Sequence, residues 1–166
     1  AGALVHKVPL DVVRCGGCGL VQLRHTVSRD LIYKHDYWYK SSASSTMVRA
    51  LADIVNKTLA LVQLHRNDLV LDIGSTDGSF LRLYPTNLML HKVGFEPSWV
   101  AEESSDAGTI IQDYFSRSAY EERFGATKAK IITSVSMFYD LEDPEIFVQN
   151  VRDCLSRDGV WVIQQN

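Results

Sequence analysis

From Leu69 onward the chain alternates short apolar runs with stretches of helical period, and no other feature narrows its fold so far. Leu69-Val-Leu-Asp72, Lys92-Val-Gly-Phe-Glu96, Thr109-Ile-Ile, Lys130-Ile-Ile-Thr-Ser134 and Val160-Trp-Val-Ile163 read as five strands. Between them, Ser79–Leu83, a segment opening at Pro97-Ser98, Ser118–Phe124 and a stretch opening at Pro144 read as helices. Pro144 suits the first helical position, where a missing N–H costs nothing. Phe147, Val148, Val151 and Leu155 supply that helix with its apolar face, and Cys154 on the same side reads as plain core. Strands separated by helices cannot pair as hairpins. They form a parallel sheet through right-handed crossovers, so the expectation is an α/β, Rossmann-like, doubly wound fold.

Upstream, Met47, Leu51, Ile54, Val55, Leu59 and Val62 recur at helical spacing and predict one amphipathic helix from Thr46 to about His65. Ahead of it stand strand-like pieces around Val12-Val13 and Gly-Leu-Val-Gln-Leu23, the turn Cys15-Gly-Gly-Cys18, and an aromatic cluster of Tyr33, Tyr37, Trp38 and Tyr39. We therefore divide the chain into a partial zinc-knuckle segment with an aromatic linker over residues 1–45 and a Rossmann-like domain over residues 46–166.

The chemistry concentrates in Leu71-Asp-Ile-Gly-Ser-Thr-Asp-Gly-Ser-Phe80. A buried strand ends at Asp72, turns through Gly74, Ser75 and Thr76, and opens a helix near Gly78. In a doubly wound sheet that turn borders the crevice where ligands bind. A dinucleotide site needs G-x-G-x-x-G, whose middle glycine makes room for pyrophosphate. Here the middle position is Thr76 and the third is Ser79, while Asp72 and Asp77 would repel a phosphate. The loop suits a nucleoside ligand without pyrophosphate, such as S-adenosylmethionine. Glu96, with Pro97 after it, closes the second strand and can accept from ribose hydroxyls. Asp113 follows the third strand and can accept from the adenine amino group, with Tyr114 or Phe115 beside the ring. Three acids at three successive strand ends face one crevice.

The order Cys-x-x-Cys-Gly-Leu-Val-Gln-Leu, then Asp36-Tyr-Trp-Tyr-Lys-Ser-Ser, then Leu-Asp-Ile-Gly-Ser-Thr-Asp-Gly-Ser resembles the zinc-domain-bearing methyltransferases, among them C-methyltransferases of nucleotide-linked deoxysugars. The resemblance implies S-adenosylmethionine as cofactor, contacted by Asp72, Gly74, Glu96 and Asp113. It also implies that Tyr37 to Tyr39 and Ser42 cover its methionine end and that Ser134 to Ser136 lie beside the methyl group. A small-molecule acceptor follows. Candidates for the base are Tyr37, Tyr39, Tyr139 and Asp140; His25 and His35 read as surface residues.

Departures from the family pattern are informative. The family carries two C-x-x-C pairs, and only Cys15 and Cys18 occur here, half of the four ligands a structural zinc takes. The histidine that often follows the fourth strand is replaced by Ser136-Met-Phe-Tyr-Asp140. The chain starts without Met and stops after the fifth strand, so it is expected to be a fragment, truncated at the C-terminal strands. Alternatives from other classes are an NAD-dependent oxidoreductase and a non-catalytic nucleoside-binding fragment.

The net charge of −3 and the scattered basic residues speak against nucleic acid. No apolar run is long enough for a membrane span, and no basic-then-apolar leader precedes the first strand. A cytoplasmic protein is expected. An edge strand left unpaired makes a homo-oligomer a natural outcome.

Overall fold

The computed structural model describes residues 7–35 and 37–165. Asp36, the side chain of His35 and the ends 1–6 and 166 lie outside the described residues.

Five parallel strands, β3 (Leu69–Ile73), β4 (His91–Phe95), β5 (Thr109–Ile111), β6 (Ala129–Val135) and β7 (Leu155–Gln164), form one sheet in the order β5-β4-β3-β6-β7. The chain runs outward from β3 to β5, then returns to the other side of β3. The order reverses between β3 and β6, which makes the crevice beyond their carboxyl ends the ligand position of such a fold. Every residue of β3 is buried, as a central strand covered on both faces requires.

Two apolar layers cover the sheet. On one face, α1 (Ser45–Leu61) and α2 (Ser79–Arg82) bring Leu51, Val55, Phe80 and Leu81 against Val70 and Ile131. On the other, α3 (Arg117–Phe124) and α4 (Pro144–Cys154) bring Tyr120, Phe147, Val151 and Cys154 against Leu71, Phe95 and Ile132. An edge-to-face series of Phe95, Phe115, Phe147, Phe138 and Trp161 crosses this second layer, with successive centroids 5.3 to 5.9 Å apart.

Several expected boundaries move for local reasons. The first long helix begins at Ser45 because the Ser44 hydroxyl accepts from the Met47 amide, and it ends at Leu61 where Val62 turns extended. After Pro97 the chain makes a 3-10 segment, Trp99–Ser104, in place of an α-helix; the Ser98 hydroxyl caps it through the Val100 amide. Leu155 belongs to β7 and not to the preceding helix face, and Val148 is exposed. β7 absorbs the Asp158-Gly159 turn as an irregularity between its pairings with Ala129 and Ile131.

Residues 12–23 make a small antiparallel hairpin of β1 (Val12–Arg14) and β2 (Val21–Leu23), whose turn carries Cys15 and Cys18. Both cysteines are free thiols. Among the described residues no three His, Cys, Asp or Glu side chains gather as a metal would need, so the expected knuckle supplies two ligands where zinc takes four. No helix among them is long and apolar enough to cross a membrane.

Candidate cofactor site

A cavity of about 200 Å³ opens at the carboxyl ends of β3, β4, β5 and β6. Its floor is the turn after β3. Gly74 takes φ +79°, and its amide, like that of Ser75, donates to the Phe95 carbonyl at 2.8 and 3.1 Å. Thr76, the residue at the middle glycine position, also lies in the left-handed region at φ +46°. Its amide donates to Glu96 Oε2 at 2.9 Å, and the Ser98 amide donates to Oε1 at 2.9 Å. Glu96 is 3% exposed, so two backbone donors fix its carboxylate at the cavity wall with lone pairs left for hydroxyl groups.

The loop amides that would cradle a pyrophosphate are committed within the protein. Besides those of Gly74, Ser75 and Thr76, the Gly78 amide donates to the Ser75 carbonyl and the Ser79 amide to Asp77 Oδ1. Asp77 sits at the start of α2, which has four residues, and brings a negative charge there. Burial raises its pKa, but bonds from Ser42 and Ser79 outweigh burial and hold it below the ordinary carboxylate value.

Asp72, the last but one residue of the central strand, is 3% exposed and accepts from the Thr133 hydroxyl at 2.6 Å. Burial pushes its pKa up to about 7, against the Thr133 bond that lowers it, with the Glu96 charge adding to the rise. Asp113 follows β5 at the opposite wall and accepts from the Tyr114 amide at 2.8 Å. Pro97, Tyr114 and Phe115 give that end flat apolar surface. The Arg29 guanidinium lies 4.1 Å from the Tyr114 ring centre, and burial pushes the Tyr114 phenol up to about 12.

The segment between β2 and α1 passes over the cavity as a strap. The Ser42 amide donates to Asp77 Oδ2 at 3.1 Å, and the Ser41 and Thr76 hydroxyls lie 3.2 Å apart. Lys40 pairs with Glu103 at 2.6 Å. These contacts aim Tyr37 and Tyr39 inward, where they line the cavity with Ser41. Tyr33, which periodicity did not single out, lines it too; a π-helical turn over Leu31–His35 presents it edge-on to Tyr37, centroids 5.4 Å apart. Burial raises the Tyr33 phenol, and its hydrogen bond to Asp140 raises it further. Tyr37 is pushed up to about 12, first by burial and then by Glu96. Both phenols hold their protons at neutral pH, and Tyr33 donates to Asp140, which also lines the cavity.

Three expected positions change. Ser134 is fully buried and accepts from the Trp161 indole at 3.2 Å, so Val135 and Ser136, one and two residues on, line the cavity instead. Gly78 faces away from the cavity; a Cβ there would meet Ala107 at 2.5 Å and Ser104 at 2.8 Å, so its role is packing against the 3-10 segment. Tyr139 is 54% exposed and outside the lining, because the turn Phe138–Asp140 sends Phe138 inward and its neighbour outward. His25 is exposed beside Asp11.

The sheet order and this cavity define a Rossmann-like methyltransferase fold. Residues 43–165 match the methyltransferase domain family, and the chain belongs to that family. It is 28% identical over 161 residues to the C-methyltransferase NovU of Streptomyces niveus, covering 94% of this chain and 37% of that protein's length. Among solved structures it resembles the mycolic acid cyclopropane synthase CmaA1 complexed with SAH and CTAB, with a TM-score of 0.56, 17% identity, and 75% of this chain and 46% of that one covered. The Escherichia coli quinone oxidoreductase complexed with NADPH shares the fold at a TM-score of 0.54 and 16% identity, over 78% of this chain and 39% of that one. At these identities the likeness shows the fold alone, and the ligand has to be read from the loop chemistry.

Proposed function

We propose that this chain is the cofactor-binding part of an S-adenosylmethionine-dependent methyltransferase with a small-molecule acceptor, the reaction being C-methylation of a nucleotide-linked deoxysugar. The observation that carries the cofactor reading is the loop after β3. Asp72, Glu96 and Asp113 converge on one cavity while the amides a pyrophosphate would need are spent inside the protein. That chemistry suits a nucleoside bearing an amino acid and disfavours a dinucleotide. The acceptor reading rests on the sequence motifs and on the likeness to NovU, of whose length the chain spans about a third.

In this reading Glu96 holds the ribose hydroxyls, and Asp113 the adenine amino group beside Tyr114 and Phe115. Asp72 faces the positively charged amino-acid end, next to Gly74 and Ser75. The bound cofactor supplies an electrophilic methyl group on a sulfonium. Alignment is the main task left to the protein, because the donor is already activated. Tyr37 and Tyr39 orient the acceptor as hydrogen-bond donors from the strap. Asp140 accepts the proton that a carbon nucleophile must release.

Titration calorimetry with S-adenosylhomocysteine and with NAD tests the cofactor. Saturable S-adenosylhomocysteine binding is expected, weakened at least about tenfold in Glu96→Ala by loss of a buried hydrogen-bonding carboxylate. Binding of NAD in its place would return the chain to the hydride-transfer class.

A further inference from the structure

Behind Asp72, on the side away from the cavity, lies a group of buried hydroxyls. Along β3 the side chains of Leu69, Leu71 and Ile73 enter one apolar layer and Val70 the other, so alternation turns Asp72, like Val70, toward α1 and α2. Gly94 is its partner on β4, and Ser75 lies over Gly94 so closely that a Cβ there would collide with the Ser75 hydroxyl. Tyr84, just after α2, covers the same strand. Its carbonyl accepts from Lys92 Nζ at 2.9 Å, two residues before Gly94 and on the same face of the sheet. Its ring stands edge-on to Phe80, centroids 5.7 Å apart, and Phe80 lines the cavity. Ser75 and Tyr84 are each 2% exposed, and among the described residues neither hydroxyl has a hydrogen-bond partner. Asp72 takes one side-chain donor, the Thr133 hydroxyl on Oδ1, of the several its two oxygens can accept. Two donors without an acceptor thus share a dry layer with an acceptor short of donors. Burial, and after it the Asp72 charge, raises the Tyr84 phenol, which therefore keeps its proton and can donate.

Resting on the cofactor reading above, in which Asp72 faces the amino-acid end, we propose that Tyr84 is a positioning residue of the site: its hydroxyl, that of Ser75 and the Asp72 carboxylate hold one buried water between them. Three polar partners are what such a water takes. Tyr84 lies outside the cavity lining. It acts through Asp72, favouring the ionised carboxylate that a positively charged group needs. The other titratable group acting on Asp72 is Glu96, at the end of β4, whose charge opposes that ionisation. From α1 come Leu51 and Val55 and from β6 Thr133, none of which titrates.

Calorimetric titration of the whole chain with S-adenosylhomocysteine, from about pH 5 to about pH 8.5, reads this out. Affinity is expected to rise as Asp72 ionises and then to level off. In Tyr84→Phe the ionised form loses a donor. The midpoint of the rise is expected to move up by about one pH unit, which is about tenfold weaker binding below it. Urea denaturation gives an independent sign. Removing a hydroxyl that truly lacked a partner would leave stability unchanged or raise it, whereas removing one that holds the network lowers the urea midpoint. Tyr120→Phe is the control: its hydroxyl is also buried without a partner among the described residues, but in the opposite layer. Neither the binding profile nor the urea midpoint should fall in that variant. An unmoved pH midpoint, or a Tyr84→Phe chain as stable as its parent, overturns the inference and leaves the cofactor reading standing. If S-adenosylhomocysteine binds at no pH, the cofactor reading falls, and the sign of the urea shift alone decides whether the network exists.

Discussion

Asp72 carries the most consequential charge in the molecule because it stands where the sheet is driest. Its carboxyl is pushed from 3.8 up to about 7, so between these values the folded chain holds a proton that the unfolded chain has lost. A state that binds more protons is favoured at lower pH, and stability attributable to this group therefore falls as pH rises through that window. The carboxyls whose pKa values are lowered, those of Asp77, Asp106, Asp153 and Asp158, act in the opposite sense but below 3.8, outside the window. Urea denaturation of the ligand-free chain at about pH 5 and about pH 8 is expected to show lower stability at the higher pH, and Asp72→Asn is expected to flatten that difference. A slope unchanged in the variant would place the titration on another group. At the same scale, the sequence placed at strand ends three acids that line one cavity, Asp72, Glu96 and Asp113, but did not show how they are held. Nothing in Glu96-Pro-Ser98 reveals that two backbone amides pin the carboxylate, since one of the donors, Thr76, is twenty residues away. Tyr33 counted in the aromatic cluster but not among the site residues, because a π-helical turn, not a regular period, aims it inward, whereas Tyr139, read as a candidate, is 54% exposed.

Among the elements, the parallel strands were legible because each is a short apolar run closed by a turn, and their alternation with helices leaves little freedom of topology. The 3-10 segment was not: Trp99-Val-Ala-Glu-Glu-Ser104 has an α-helical composition, and its tighter winding follows from the Ser98 cap and the packing of Gly78 against Ser104 and Ala107. The strap over the cavity was visible only as an aromatic stretch, because its attachment runs through a backbone donor, Ser42 to Asp77, which no pattern of side chains encodes. Asp77 joins two pieces of chain, the strap and the loop after β3, accepting from Ser42 and from Ser79 and the Thr76 hydroxyl. Asp77→Ala leaves these donors unpaired in a site only 3% exposed and is expected to cost about 1–3 kcal/mol. Asp77→Asn, which keeps one acceptor oxygen, should lose less. Chemical denaturation gives both values, and proteolysis within residues 28–44 should speed up in the alanine variant if the strap lifts.

Across the whole molecule, the cavity and the core share a wall. Leu51 on α1 is 3% exposed, packs in the layer with Val55 and Phe80, and also lines the cavity. Leu51→Ala is expected to cost about 2–5 kcal/mol of stability and to weaken S-adenosylhomocysteine binding together with it, whereas a cost confined to stability would show the wall to be indifferent to its lining. Calorimetry and a thermal melt on the same samples separate the two effects. Conversely, a ligand present at about 100 times its Kd should stabilise the chain by about 2.7 kcal/mol.

Gly94, near the carboxyl end of β4, shows how far such sharing reaches. It lies directly under Ser75: a Cβ there would collide with the Ser75 hydroxyl and press on Ile110 at 2.8 Å. The bare backbone of one strand thus sets the height at which the neighbouring loop, with Gly74 and Thr76, meets its ligand. A methyl group added at this buried point would act as a shim, lifting the loop from below without coming near any bound molecule. How much this sequence can drift and still hold a nucleoside is therefore decided partly by a residue the nucleoside never meets.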